Sequence, residues 1–252
     1  MRKIGLSLCL LVLFAQKSNA SELVTFDSSP DLTVSNVARL VAGSVDMSGG
    51  VADRELIDSS TQLMDLLYTQ GVPTVFNVIL TTDGSIPAER LGRAVAAYAA
   101  LARVALVRFE GESNTFCKLF ASMPSVAFVW VAGNGAHAID PVEESACTSA
   151  NILRVGPLKL DRTDLVSRSN FGPTVRIAAI GEGVTAAGQS GVLSVMDPSS
   201  AAAARVAARL VDQAACGCYR SGGELIDAFL ANGTVVIDSL RDKVAGGRAV
   251  VD

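Results

Sequence analysis

Apolar strand-like runs alternate with helical patterns along this chain, and that alternation constrains the fold more than any other feature. The run SVAFVWVAG at 125–133 has hardly a polar side chain, which is typical of a central parallel strand buried on both faces. Similar runs occur at 72–80, 150–158 and 173–181. Strands that alternate with helices in this way predict a largely parallel sheet covered by helices.

Helical periodicity appears between these runs. Residues 55–69 place Leu56, Leu63, Leu66 and Leu67 on one helical face. Apolar residues at three- and four-residue steps predict a second helix over 88–106. An alanine-rich helix over about 199–212 and a last helix over 223–232 complete the pattern. No repeat or linker interrupts this alternation of strands and helices. Before residue 55 the sequence indicates few strands.

The N-terminus predicts export. Arg2 and Lys3 precede the apolar run LSLCLLVLFA, and Ser18-Asn19-Ala20 gives a small-residue ending of the kind that signal peptidases cut. The apolar run is too short to span a bilayer, which takes about 20 residues. We therefore predict a signal peptide over residues 1–20 and one exported domain, periplasmic or secreted, over residues 21–252.

The charge balance argues against several partners. The formal charge of the whole chain is −4, and removing Arg2, Lys3 and Lys17 with the signal gives −4 − 3 = −7. No Lys/Arg cluster remains in the mature chain, so nucleic acid is not an expected partner. No later segment is apolar enough for a membrane span, so no membrane partner is expected after signal removal. The sequence leaves the oligomeric state open.

Cysteine usage fits an oxidising compartment. Five cysteines less Cys9 of the signal leave four, namely Cys117, Cys147, Cys216 and Cys218. Four cysteines permit two disulfides in three possible pairings, and the sequence does not choose among them. His137 is the only histidine, and Cys216-Gly-Cys218 lacks the usual two-residue spacer of a metal site. We predict no metal and no other cofactor.

Three segments, in order, resemble those of subtilisin-like serine peptidases. WVAGNG at 130–135 is similar to the strand end whose asparagine supplies an oxyanion-hole amide in that family. SNFGPTVRIAAIG at 169–181 is similar to a second conserved run, and PSSAAAARVA at 198–207 to the segment that carries the nucleophile. The resemblance covers roughly residues 60–252. It implies an α/β, three-layer subtilisin-like fold with a central mostly parallel sheet flanked by helices, N-terminally reduced.

The same resemblance implies roles for single residues. Ser200 takes the nucleophile position and Asn134 the oxyanion position. The best match to the family's histidine segment, TVSNVA at 33–38, puts Thr33 where the base should stand. Asp27 is a weak candidate for the triad acid because it lies only six residues before Thr33, and Asp46 is a second candidate.

Threonine cannot accept a proton near neutral pH, so this alignment predicts a missing general base. Losing the base of such a triad lowers turnover about 10⁶-fold. The leading interpretation is therefore a pseudoenzyme that binds a peptide or protein segment in a cleft, with Ser199 or Ser200 capping a helix. His137, three residues after Asn134, is expected at the rim. The alternative is an active serine endopeptidase that uses Ser200, Asn134 and an unrecognised base, and a third class is a purely structural exported protein.

Overall fold

A nine-stranded sheet forms the centre of the computed structural model. The structure describes residues 23–27, 30–48, 54–79, 88–108, 113–140 and 145–250. The predicted signal peptide lies outside these residues. Within them, the strands are β1 (Leu23–Asp27), β2 (Val41–Asp46), β3 (Val75–Ile79), β4 (Val104–Val107), β5 (Ala127–Val131), β6 (Ile152–Leu158), β7 (Val175–Ile180), β8 (Thr185–Ala187), β9 (Leu193–Val195), β10 (Val235–Val236) and β11 (Arg248–Val250).

Six α-helices occur in the same part of the chain. They are α1 (Ser35–Leu40), α2 (Arg54–Thr69), α3 (Ala88–Tyr98), α4 (Ser113–Ala121), α5 (Pro198–Ala214) and α6 (Gly222–Asn232). Helix α2 packs against α5, and α3 packs against α4. No helix among the described residues is long and apolar enough to cross a membrane.

The strand order of the sheet is β10-β11-β7-β6-β5-β4-β1-β3-β2. All neighbours pair in parallel except β10 and β11 at one edge. Helices flank the sheet, so the molecule has the predicted three layers. A separate two-stranded antiparallel hairpin, β8–β9, comes directly before α5. Parallel strands end at one edge of a sheet, which brings the loops after β5 and β7 together.

Helix α5 lies deep against the sheet, since it contacts β4, β5, β6 and β7. Small side chains make this possible: residues 199–204 of α5 are all buried, and four of these six are alanine. Gly181, just after β7, lies so close to the carbonyl of Pro198 that a Cβ at this position would overlap it. The start of α5 is therefore fixed against the carboxyl end of β7.

Several predicted elements have different bounds in the structure. The predicted helix over 88–106 was wrong in its second half: α3 ends at Tyr98, a short 3₁₀ turn follows, and residues 104–107 form the central strand β4. Alanine and valine occur in both kinds of structure, and burial within the sheet decides for the strand. The region before residue 55 contributes two strands, β1 and β2, to the sheet.

The cysteine pairing left open by the sequence is Cys117–Cys147 and Cys216–Cys218. The first disulfide joins α4 to the 3₁₀ turn at 145–148, and both of its cysteines are buried. The second lies in the loop after α5, and both of its cysteines are exposed. One disulfide is therefore buried in the core, and the other is exposed to solvent.

Candidate functional site

Asp197 caps the N-terminus of α5. Its Oδ1 accepts hydrogen bonds from Ser200 N at 2.9 Å and from Ser200 Oγ at 3.0 Å. The prediction that Ser199 or Ser200 would be the cap was therefore wrong. Pro198 takes the first helical position, where its missing N–H costs nothing, so the cap is the residue before it. Ser200 is the third residue of the helix and is only 4% exposed.

Asn134 is bonded to the same helix start. Its side-chain Nδ2 donates to Asp197 Oδ2 at 2.9 Å, and its Oδ1 accepts a hydrogen bond from Ser199 Oγ at 2.7 Å. The two residues that the sequence proposed as a site, Asn134 and Ser200, are thus brought together. They meet through the carboxylate of Asp197, which bonds to both, and we call these four residues the Asp197 network.

The loop that carries Asn134 is held by Asn170. The side-chain Nδ2 of Asn170 donates to Ala132 O at 3.1 Å, and its backbone N–H donates to Gly133 O at 2.9 Å. Gly133 has a φ of +100°, a conformation that favours glycine and turns the chain out of β5. The sequence predicted no separate role for Asn170, because its bond to a residue 38 positions away has no local signal.

His137 lies on the outside of this loop. Its side chain is exposed, as expected of a rim residue, and its backbone N–H points to Asn170 Oδ1 at 3.4 Å. The four residues 135–138 are all exposed. The Asp197 network, in which Ser199 and Ser200 are buried and Asn134 and Asp197 half-buried, therefore has an accessible loop directly beside it.

The structure places the other two predicted site residues as follows. Asp27 is the last residue of β1, paired with Ile79 of β3, and its side chain lies outside the described part. Thr33 is exposed in the turn before α1, where its N–H and Oγ1 donate to Asp31 Oδ1 at 2.9 and 2.7 Å. Helices α2 and α6 both pack against α5. The roles of Asp27, Thr33, Asn134 and Ser200 stay predictions.

Carboxylates of α2 hold the hairpin that leads into α5. Asp58 accepts from Gln189 N at 2.6 Å, and Asp65 accepts from Ala187 N at 2.8 Å. Gln62 of the same helix bonds to Ser194 Oγ. The sequence reasoning missed this hairpin because its two strands are only three residues each. These bonds fix the segment that ends at Asp197.

The chemistry open to Ser200 follows from its surroundings. Its hydroxyl donates to a carboxylate, which is a far weaker base than imidazole. That carboxylate already accepts from Ser200 N and from Asn134. Both of its oxygen atoms are therefore already engaged as acceptors. Among the described residues no group of three or more His, Cys, Asp or Glu side chains could hold a metal ion.

The mostly parallel sheet and the helices that flank it form a subtilisin-like fold. Solved structures share this fold across nearly the whole chain. The A-subunit of the AB5 toxin from E. coli is 18% identical with a TM-score of 0.73, and the match covers 92% of both chains. The subtilase cytotoxin SubAB is 17% identical with a TM-score of 0.72, over 92% of this chain and 87% of that one.

The PatG macrocyclase, solved in complex with peptide, is also similar. It is 18% identical with a TM-score of 0.69, over 96% of this chain and 93% of that one. At these identities the likeness shows the fold alone. No protein-family model matches the chain, and no curated protein matches it.

Proposed function

We propose that this chain is a non-catalytic subtilisin-like domain. The single observation that carries the proposal is the hydrogen bond from Ser200 Oγ to Asp197, the cap of its own helix. A serine nucleophile needs a base that takes its proton and an accessible substrate. Ser200 is 4% exposed and faces a carboxylate that two further donors occupy. The network supports a structural role for the hydroxyl.

Peptide or protein-segment binding is the activity we propose for the domain. The exposed loop 135–138 follows β5, at the edge of the parallel sheet where ligands bind in folds of this type. Pairing between a peptide main chain and protein backbone needs no catalytic base. The PatG macrocyclase, which has the same fold, was solved with a peptide bound. This proposal thus rests on the loop's exposure and on a fold analogy.

An exposed-loop variant tests peptide binding. Binding of a fluorescent peptide library to the protein is measured by anisotropy, and the best binder is titrated against His137→Ala. Because His137 is exposed, its replacement should leave folding intact and weaken binding at least threefold. The matched control is Asn232→Ala, an exposed residue at the end of α6. Equal affinity of both variants, or no binder in the library, would contradict the proposal and favour a purely structural protein.

An active serine endopeptidase is the second candidate, favoured because Asn134 and Ser200, the predicted oxyanion and nucleophile residues, bond to one carboxylate. A fluorophosphonate probe separates the two candidates. We expect no labelling of the mature protein beyond that of Ser200→Ala, and Ser199→Ala serves as the matched control. Labelling that disappears only in Ser200→Ala would establish a reactive nucleophile and overturn the non-catalytic proposal.

We also propose that the chain is exported after removal of residues 1–20. The two disulfides fit an oxidising compartment. Mass spectrometry of the protein recovered from the exported fraction should give a mature N-terminus at Ser21. An intact N-terminus at Met1 in that fraction would contradict the predicted signal peptide.

A further inference from the structure

The far end of α5 carries an accessible disulfide. Helix α5 ends at Ala214, and the loop that follows contains Cys216, Gly217 and Cys218, all of them exposed. The Cys216–Cys218 bond joins residues only two apart in sequence. In the chain-entropy view, the stabilisation from a disulfide grows with the length of the loop that it closes. A bond that closes so short a loop contributes little to folding stability.

Other contacts keep this loop in place when the disulfide is open. Tyr219 is held twice: its hydroxyl accepts from Gln213 Nε2 at 2.7 Å, and its carbonyl accepts from Arg103. On the helix side, Gly217 N donates to Ala214 O at 3.0 Å. The bond between Gln213 and Tyr219 spans both cysteines, and none of the three bonds involves a sulfur atom. Reduction should therefore leave two thiols close together and ready to form the bond again.

The two sulfur atoms are not equivalent. The backbone N–H of Cys218 donates to Cys216 Sγ at 3.2 Å. A hydrogen bond to sulfur stabilises the thiolate that forms when the disulfide opens, and a better leaving group leaves faster. Arg103, bonded to the next residue, Tyr219, adds positive charge that offsets the negative end of α5. Attack on Cys218 Sγ, with Cys216 as the leaving group, is the favoured direction.

We propose that Cys216–Cys218 is a thiol–disulfide exchange site that oxidises external dithiols. A thiolate of the dithiol attacks Cys218 Sγ, so that a mixed disulfide forms and the electron pair of the broken bond goes to Cys216. The second thiol of the dithiol then loses its proton and attacks the first sulfur of the same dithiol, which is bonded to Cys218 in the mixed disulfide. This attack releases Cys218 as a thiolate. The dithiol becomes a disulfide, and Cys216 and Cys218 take up the two protons and two electrons. This activity is independent of the peptide-binding proposal.

Quenched alkylation and peptide mapping test the exchange. The mature protein is incubated with reduced glutathione, and each cysteine is assigned by mass spectrometry over time. We expect Cys216–Cys218 to open at least about tenfold faster than the buried Cys117–Cys147 pair, because access governs the attack. Trapped glutathione should be found on Cys218. Equal rates for the two pairs, or an adduct mainly on Cys216, would overturn the assignment.

A second experiment separates small thiols from protein thiols as the source of the dithiol. Dithiothreitol and a reduced, unfolded polypeptide with two cysteines are each incubated with the protein, and the disulfide that forms is quantified. Both reactions should be lost in the double variant Cys216→Ser with Cys218→Ser. Oxidation of the polypeptide as well as dithiothreitol identifies protein thiols as substrates, and oxidation of dithiothreitol alone identifies small dithiols. Oxidation that persists in the double variant would contradict the proposal.

Discussion

The reactive side chains at the two ends of α5 differ in how accessible they are to solvent. At the N-terminus, Ser199 and Ser200 are buried and bonded to Asn134 and Asp197. At the C-terminus, the Cys216–Cys218 disulfide is exposed and held in a loop that other bonds position. The hydroxyls at one end are thus enclosed by hydrogen bonds, whereas the sulfur atoms at the other end are accessible to solution. The exchange chemistry that we propose therefore lies at the opposite end of the helix from the position that the resemblance to serine peptidases indicates.

The largest expected loss of stability follows removal of the buried disulfide, Cys117–Cys147. This variant is the reference against which removal of the exposed disulfide is compared. Replacing both members, Cys117→Ser with Cys147→Ser, opens a loop across 30 residues and leaves two hydroxyls in the core. We expect a loss of about 4 kcal/mol in the free energy of unfolding. Urea denaturation followed by circular dichroism measures it. A loss below about 1 kcal/mol would show that burial and loop length do not separate the two disulfides.

Removing the carboxylate of the Asp197 network should lower the free energy of unfolding less than removing the buried disulfide does. Asp197→Ala removes the helix cap and leaves the N–H of Ser200 and the Nδ2 of Asn134 without their acceptor. Loss of a cap and of a half-buried acceptor together should lower the free energy of unfolding by about 2 kcal/mol. The matched control, Asp212→Ala, replaces an exposed aspartate on the same helix and should change the free energy of unfolding by under about 0.5 kcal/mol. Equal effects in the two variants would mean that the network does not hold the helix start.

The sequence predicted much of the sheet but not how its parts meet. The run at 125–133 identified β5 because a strand buried on both faces has a local signature. Strand β4 was assigned to a helix because alanine and valine at 104–107 fit both periods. Only the position of this segment between β1 and β5 decides for a strand. Local patterns thus located the elements, and tertiary packing set their type where the pattern was ambiguous.

The site shows the same limit more sharply. Asn134 and Ser200 were predicted as site residues from separate segments, and the structure brings both to Asp197. The part of Asp197 in this network was not predictable from the sequence, because a bond between side chains 63 residues apart has no local signal. Asn170, which holds the Asn134 loop, is likewise 38 residues from its acceptor Ala132.

The exposed disulfide should matter little for stability. The double variant Cys216→Ser with Cys218→Ser opens a loop of three residues, which the chain-entropy relation values at about 1.5 kcal/mol at most. The contacts of Tyr219 remain, so the loop should keep its place. Urea denaturation of this variant and of the Cys117→Ser, Cys147→Ser variant, measured in parallel, compares the two losses in the free energy of unfolding. A loss as large as that of the buried pair would make the exposed bond a structural one and weaken the case for exchange.

The smallest expected effect is a pH dependence of stability that arises at Asp31, in the turn before α1. Hydrogen bonds from Thr33 and from Ser190 N hold the pKa of Asp31 below its usual value, and Ser190 belongs to the hairpin that leads into Asp197. A carboxyl with a lowered pKa in the folded state stabilises the fold above its unfolded pKa of about 3.9, and this contribution is lost as the pH falls through the folded pKa.

The matched pair Asp31→Asn and Asp161→Asn isolates this contribution. Asp161 accepts from Thr163 N and Oγ1 in the same kind of turn, and those bonds hold its pKa low as well, but both donors belong to its own turn and not to the hairpin. Melting temperatures should show each variant slightly less stable than the parent at pH 7, with the difference shrinking below about pH 4. Only Asp31→Asn should speed proteolytic cleavage within 188–192. Equal cleavage in both variants would show that Asp31 does not anchor the hairpin, and the closed end of α5 would then depend on α2 and the Asp197 network alone.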